Sequence, residues 1–364
     1  MPPTCLAVTK IWSHSLFLLG GIWIAHPAES KISRGDIRQR RRAVRKLFEL
    51  DKPSSLGAFI ALLDDEDAWF RQKAMDAINR WFTAVDCKIV KKLVASNFPE
   101  QRVLASTVSR NCEDYEEILL ELSEDNVRSV KIAAWNSRLD VDDEEVSPII
   151  QGAFSSDDYD IRKCAVRRLG KMEDLDKEVL LLALDDSSPM IVKSAIAILQ
   201  AKGGLLDEDV VSERLNSIAK GKNSDLRISA LGVVSRNIGR NSEVKDIVID
   251  AIRNCSAPMA NSLAKGLRGV EWWRMDEVRG AIISTRNESL VIRLLRGQRD
   301  ESVVEIRNRV LSDPDRPVET KTRIVEDLMG REISISTLEI VRIMAESADE
   351  TLSKTSRILL NELG

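Results

Sequence analysis

Apolar residues recur along most of this chain at the spacing of one helix face, and short acidic turns separate the runs. In residues 155–170 the apolar stripe consists of Ile161, Cys164, Ala165, Val166 and Leu169. Aspartates ahead of this stripe offer oxygens that cap first-turn amides, and a glycine ends the run. One such helix cannot bury its stripe alone, so the pattern predicts a stack of neighbours.

Versions of this stretch recur from residue 36 to the C-terminus at a period of about 31 residues. Each copy is aligned on the residue equivalent to Arg162, which we call the anchor. The anchors are Arg40, Arg71, Arg102, Lys131, Arg162, Lys193, Arg227, Ala260, Val291, Lys321 and Ser353. The third residue after the anchor is most often alanine, which predicts that helices approach closely there. The third and the seventh residues after the anchor lie on the same helix face and are predicted to form the buried stripe.

A second amphipathic segment lies between successive anchor helices. Examples of these segments are residues 56–63, 89–95, 115–122, 146–154, 179–184, 210–219, 244–252 and 303–311. Each unit is therefore predicted to be an antiparallel helix pair with short connections, and no run of useful length has the two-residue period of a strand. The predicted fold class is all-α.

The units resemble HEAT repeats, in particular the short HEAT-like repeats first noted in bilin lyases. The closest copy is Asp-Ile-Arg-Lys-Cys-Ala at 160–165 followed by Leu169 and Gly170, and 225–230 is another. The resemblance implies a right-handed α-solenoid, or superhelix, of about eleven helix pairs forming one domain over 36–364. It also implies that the second helix of each pair lines a concave face, and that each anchor pairs with an acid in the adjoining repeat. Such arrays are mostly scaffolds, so we expect a non-catalytic adaptor that binds a protein partner on that face.

Residues 1–35 form an N-terminal extension outside the repeat. Its apolar run, residues 16–25, is about half the length needed to span a bilayer. Three interpretations stay open: a signal peptide ending near Ala28, a disordered extension, or a start codon assigned too far upstream. We expect a cytoplasmic protein, with export as the alternative if residues 1–28 are a signal peptide.

Residue types that carry common chemistries are scarce. Both histidines, His14 and His26, precede the repeats, which therefore lack the commonest metal ligand and general base. No glycine-rich phosphate loop is visible, and the net charge of −4 gives no overall attraction to nucleic acid. We therefore expect no enzyme activity, no cofactor and no metal. The cysteines share no CxxC spacing and are predicted to be unpaired, as in a reducing compartment: Cys5, Cys87, Cys112, Cys164 and Cys255.

A cation stands near the end of most second helices. The set comprises Arg80, Arg110, Arg138, Arg168, Lys202, Arg236, Arg268, Arg299 and Arg331. We favour the interpretation that these cations complement helix dipoles and pair with neighbouring acids. The alternative is a stripe that meets the phosphates of nucleic acid. Arg167 and Arg168 are further candidates for ligand contact.

The densest positive cluster lies near the start of the repeats. Its members are Arg38, Arg41, Arg42 and Arg45, beside Arg40 and Lys46. Contact with nucleic acid or an acidic partner and a merely solvated face are equally good interpretations.

The adjacent pair Trp272-Trp273 interrupts the small-residue pattern and is predicted to begin a first helix. Two neighbouring rings cannot both face one buried stripe, so one of them is expected to be partly exposed. Beside Arg274, an exposed tryptophan is typical of an interface hot spot.

One enzyme class is kept as a lesser alternative. Some HEAT-like arrays resemble alkylpurine DNA glycosylases, which use carboxylate and aromatic groups on a basic concave face. Trp81, Trp135 and Asp76 have the residue types that such chemistry uses, but no spacing singles them out.

Overall fold

The described chain consists of helices joined by short connections. A computed structural model describes residues 27–83, 86–140 and 142–363, and this part of the chain contains 22 α-helices, a few short 3-10 turns and no strand. The predicted all-α fold class is confirmed. No helix among these residues is both long and apolar enough to cross a membrane.

The helices alternate as first and second members of eleven pairs within the described ranges. The first helices are α1 (Pro27–Arg34), α3 (Leu56–Ile60), α5 (Cys87–Val94), α7 (Tyr115–Ser123), α9 (Asp143–Phe154), α11 (Lys177–Leu184), α13 (Asp209–Lys220), α15 (Ser242–Arg253), α17 (Asp276–Ser284), α19 (Glu301–Ser312) and α21 (Ile335–Ala345). The second helices are α2 (Ile37–Leu50), α4 (Ala68–Trp81), α6 (Pro99–Val108), α8 (Arg128–Arg138), α10 (Tyr159–Leu169), α12 (Pro189–Lys202), α14 (Ser224–Val234), α16 (Ala257–Leu267), α18 (Glu288–Leu295), α20 (Val318–Leu328) and α22 (Glu350–Glu362).

All eleven anchors fall on second helices. The anchor is the fourth residue of its helix in every pair except that of α12, where Lys193 is the fifth. The residue three positions after each anchor is buried throughout, including Ser356 in the last pair. The predicted register therefore holds for the final four pairs, in which the sequence pattern is weakest.

The chain divides into two compact units, Met1–Ala134 and Trp135–Gly364. Within the second unit, each second helix from α10 to α22 packs against the next second helix, and each first helix from α9 to α21 packs against the next first helix. These two layers fit a HEAT-like repeat fold. The right-handed superhelix and the single domain over 36–364 stay predictions.

Glycines allow two neighbouring second helices of this unit to approach closely. A Cβ atom on Gly266 of α16 would lie 2.7 Å from the carbonyl oxygen of Gly232 on α14 and 2.7 Å from the Cβ of Ser235. No side chain fits there without displacing backbone. Close approach of the second helices, which the small residues predict, is therefore achieved here by glycine.

The first helix pair begins upstream of residue 36. Helix α1 packs against α2 and buries Ile32, whose carbonyl accepts a hydrogen bond of 2.9 Å from Nε of Arg40. Helix α1 is thus part of the helical body. The apolar run 16–25 lies outside the described residues.

Two cysteines of the first unit form a disulfide. Cys87 at the start of α5 and Cys112 beyond the end of α6 are bonded, with Cα atoms 5.6 Å apart. The prediction of unpaired cysteines is wrong for these two, because the fold brings together residues that no sequence motif links. Cys164 and Cys255 are free thiols, and burial raises the pKa of Cys255 to about 11, so its reactive thiolate is scarce.

Candidate functional site

The anchor arginine of α10 joins its helix pair to the next one. Nε of Arg162 donates to Asp186 at 2.8 Å, and Nη1 donates to the carbonyls of Ser156 and Asp157, both at 3.0 Å. The second carboxylate oxygen of Asp186 accepts from the amide of Ser188 at 2.7 Å, at the start of α12. Arg162 therefore has a structural role in holding neighbouring helix pairs together.

The same arrangement recurs in other pairs. Arg102 binds Asp125 through two nitrogens at 2.6 and 3.0 Å, and Arg227 reaches Asp250 at 3.2 Å. The hydrogen bond from Arg102 holds the pKa of Asp125 below its usual value. Pairing of an anchor with an acid of the adjoining repeat, which the family resemblance implies, is confirmed for these anchors.

Several cations at the ends of second helices contact the preceding second helix. Arg80 reaches Asp51 at 2.8 Å, while Arg168 and Arg236 each donate at 2.8 Å to a carbonyl near the end of the previous second helix, those of Leu139 and Gln200. The last carbonyls of a helix have no hydrogen-bond donor within that helix, so Arg168 and Arg236 supply one. These contacts support the dipole-and-pairing interpretation for these three arginines.

Arg138 and Arg167 lie at the same end of the second-unit helices. The guanidinium of Arg138 lies 4.4 Å from the ring centroid of Trp135, a cation–π contact, and exposed Arg167 donates to Asn136. Arg167 also lines a cavity of about 310 Å³ together with Arg168.

Three predicted site residues from different helix pairs meet at Gly269. We call this the Gly269 site: two neighbouring cavities, of about 490 and 420 Å³, that share Arg236, Gly269 and Val270. Arg274 lines the first cavity and Arg268 the second. The structure thus brings together Arg236, Arg268 and Arg274, which the sequence analysis proposed separately.

Sequence reasoning missed most of the lining of the Gly269 site, including Arg240 and Met275. Arg240 follows Arg236 by four residues in the sequence but lies beyond the 3-10 turn that ends at Asn237, so no helical spacing indicated it. Arg240 is tied to Asp209 at 2.7 Å and to backbone carbonyls ahead of α13, so it fixes one wall of the site.

The two adjacent tryptophans position Arg274. Trp272 is fully buried, and Trp273 is half-buried with its ring edge-on to that of Trp272 at a centroid distance of 5.6 Å. They do not begin a helix as predicted. They form a 3-10 turn that ends at Met275, whose extended backbone separates it from α17. Exposed Arg274 pairs with Glu271 at 3.0 Å.

The remaining predicted cations lie elsewhere. Arg299 is exposed after α18, and no ion pair joins it to a described residue. On α2, Arg38, Arg42 and Arg45 are exposed, whereas Arg41 pairs with Asp67 at 3.3 Å and lies over the Trp69 ring. The basic cluster is therefore a patch of three exposed arginines.

Residue types suited to glycosylase chemistry have structural partners. The indole of Trp81 is buried and donates to Asp51 at 2.8 Å, and Asp76 pairs with Lys73 at 2.6 Å. Trp135 is buried under Arg138. Across residues 27–83, 86–140 and 142–363, no group of histidine, cysteine, aspartate and glutamate side chains is suited to holding a metal ion.

Comparison with known proteins gives matches among solved structures. No family model matches the chain, and no curated protein matches it. The Escherichia coli protein YibA is 13% identical, with a TM-score of 0.40 over 78% of this chain and 96% of that one. A structure described as the basis of tubulin recruitment and assembly by microtubule polymerases with Tumor Overexpressed Gene (TOG) domain arrays is 10% identical, with a TM-score of 0.31 over 92% of this chain and 93% of that one.

Proposed function

We propose that the protein is a non-catalytic helical-repeat scaffold that binds a protein partner through the surface of its second helices, with the Gly269 site as the contact centre. The carrying observation is the convergence of Arg236, Arg268 and Arg274 around two cavities. Arginines beside a rigidly held tryptophan pair are typical of interface hot spots.

The packing around the site supports a preformed surface. Trp272 is buried beneath the turn, Arg236 is fixed to the carbonyl of Gln200, and Gly266 locks α16 against α14. A surface that is already ordered loses little conformational entropy when a partner binds. The site therefore suits an acidic segment of a partner protein that lies across the C-terminal ends of successive second helices.

The test is affinity capture from native lysate with and without nuclease, using the full chain and a charge-reversed variant, Arg268→Glu with Arg274→Glu. The control variant, Arg253→Glu with Arg342→Glu, changes exposed arginines of the same unit by the same total charge. We expect the unaltered protein to capture partner proteins whose recovery does not change with nuclease. The first variant should fail to capture them, and the control variant should capture them as the unaltered protein does. Equal recovery by all three proteins would refute the assignment of the site.

The second candidate is nucleic-acid binding, favoured by the three exposed arginines on α2. Arg38, Arg42 and Arg45 share one helix face, and none forms an ion pair with a described residue. A mobility-shift titration over several salt concentrations tests this idea. Replacing all three arginines with glutamine should weaken binding for every sequence and reduce the salt slope by up to about three. No binding at low ionic strength would exclude it.

The disulfide bears on the cellular compartment that we propose for this protein. The expected cytoplasmic location rested on unpaired cysteines, and the Cys87–Cys112 bond removes that support. Because disulfides persist in oxidising compartments, we propose the export alternative. Alkylation of native extracts under denaturing conditions, followed by mass spectrometry of this chain, tests it: blocked Cys87 and Cys112 support export, and full modification of both contradicts it.

A further inference from the structure

Arginines dominate a cavity near the C-terminal end of the second unit. The cavity has a volume of about 490 Å³, lies between α18 and α20, and is separate in its lining residues from the Gly269 site. The arginines that line it are Arg293, Arg296, Arg307, Arg323 and Arg331. Two carboxylates, Glu326 and Asp327, accompany them, so the lining carries an excess of positive charge.

One of these arginines is buried without a carboxylate partner. Arg307 is 5% exposed, and its Nη2 donates to the carbonyls of Leu295 at 3.2 Å and Gln298 at 2.8 Å. No acid of the described chain lies within ion-pair distance of it. By contrast, Arg316 is equally buried but pairs with Glu288 at 2.8 Å.

Burial makes the charge of Arg307 costly. Desolvation lowers the pKa of its guanidinium, and the charge of Asp327 opposes that shift. A guanidinium nevertheless keeps its proton at neutral pH. A buried charge is stabilised by an anion in direct contact, and no carboxylate of the described chain reaches Arg307 within ion-pair distance.

The acid whose charge acts on Arg307 is already shared. Asp327 lies 3.0 Å from Arg331 and 3.5 Å from Arg296, and it accepts from the amide of Gly297 at 3.0 Å. One carboxylate therefore serves two arginines and a backbone donor. It leaves little capacity to neutralise the other cations.

Two further arginines of the cavity occupy matched positions on neighbouring second helices. Arg293 and Arg323 both stand two positions after their anchors, on neighbouring second helices, and both are exposed. Arg293 donates to Ser289 at 3.2 Å, and no acid of the described chain pairs with Arg293 or Arg323. Like charges at matched positions repel each other unless an anion lies between them.

We propose that this cavity binds a phosphoryl group. A phosphate monoester carries nearly two negative charges and three acceptor oxygens, which match several guanidinium donors at once. A lone carboxylate offers fewer acceptors and half the charge. The cavity volume also lies in the range of small-ligand sites, so the group enters on a phosphorylated small molecule or on a phosphorylated side chain of a peptide.

The test is calorimetric titration of the full chain with inorganic pyrophosphate, with a phosphoserine peptide, and with the same peptide unphosphorylated. The test variant is Arg293→Gln with Arg323→Gln, which spares buried Arg307. Loss of two charged hydrogen-bond donors should weaken pyrophosphate binding at least ~10-fold. The control variant, Arg253→Gln with Arg342→Gln, removes the same charge from exposed positions outside the cavity and should bind as the unaltered protein does.

The outcomes distinguish the sources of the phosphoryl group. Tight pyrophosphate binding with a weak response to both peptides supports a phosphorylated small molecule, and preference for the phosphopeptide over its unphosphorylated form supports a partner side chain. Equal weakening in the test and control variants would overturn the proposal in favour of general electrostatic attraction. Absence of both pyrophosphate binding and phosphopeptide binding would also overturn it. None of these outcomes depends on the protein partner at the Gly269 site.

Discussion

Asp186 serves two helix pairs at once: one carboxylate oxygen accepts a hydrogen bond of 2.7 Å from the amide of Ser188, just before α12, and the other accepts one of 2.8 Å from Arg162 of the preceding pair. Its side chain is 3% exposed and that of Arg162 is 13% exposed. The ion pair is therefore largely removed from solvent, and loss of one partner strands the other.

Replacement of Arg162 by alanine should lower the free energy of unfolding by roughly 2–4 kcal/mol, because Asp186 is left buried without its cation. Urea denaturation followed by circular dichroism measures the change. Lys193→Ala is the matched control, since this exposed anchor forms no ion pair with a described residue and should change stability by less than ~0.5 kcal/mol. Equal losses in the two variants would contradict the role assigned to Arg162.

The Arg102–Asp125 pair should make the free energy of unfolding depend on pH. Arg102 lowers the pKa of Asp125 in the folded protein, so the pair stabilises the fold above the unfolded-state pKa of the carboxyl. That contribution is lost as the pH falls through the lowered, folded-state pKa, where the folded chain also takes up the proton. The difference in unfolding free energy between the unaltered protein and Asp125→Asn should be greatest near neutral pH and shrink in acid. A difference independent of pH would argue against the pairing.

The disulfide should stabilise the first unit. Cys87 and Cys112 are 25 residues apart in sequence, and closing a loop of this length removes unfolded-state entropy worth roughly 3 kcal/mol. The double variant Cys87→Ser with Cys112→Ser should unfold at correspondingly lower urea concentration, and a reducing agent should have little further effect on it. Cys255→Ser, which alters a free thiol, is the control. If reductant leaves the unaltered protein unchanged, the bond does not contribute.

Gly266→Ala should destabilise the second unit by about 1–3 kcal/mol, because the added methyl overlaps the backbone of α14. Gly280→Ala, in α17, is the opposite case. Its Cβ would contact nothing within 4 Å, so the better helix propensity of alanine should add about 0.5–1 kcal/mol. Thermal unfolding should show a lower melting temperature for Gly266→Ala and a higher one for Gly280→Ala. An unchanged melting temperature for Gly266→Ala would show that α14 and α16 are less closely packed than described.

The fold was largely predictable because its signal is repetitive. The anchor position recurs in every unit, so even Ser353, which lacks a cationic side chain, is located by its neighbours. Local hydrophobic period and capping chemistry act within one pair, and they therefore survive changes in individual residues. Helix α1 was missed because it directly follows the apolar run 16–25 and was assigned to the extension with it.

The site was less predictable because it depends on contacts between pairs. Trp272 and Trp273 were singled out by composition, but their 3-10 turn depends on where α17 can begin. Arg307 has no sequence feature that distinguishes it from a solvated arginine, and its burial appears only when α19 packs beside the end of α18. The cysteine pair was missed for the same reason, since Cα proximity between helices leaves no local pattern.

The direction of the anchor contact also has a consequence for synthesis. Arg162 precedes Asp186 in the chain, as Arg102 precedes Asp125. During translation each arginine therefore emerges before its carboxylate, and the newest helix pair exposes an unmatched cation until the next acidic turn leaves the ribosome. Where an arginine of this kind is the anchor, the next acidic turn completes its ion pair, so these repeats become ordered from the N-terminus onwards.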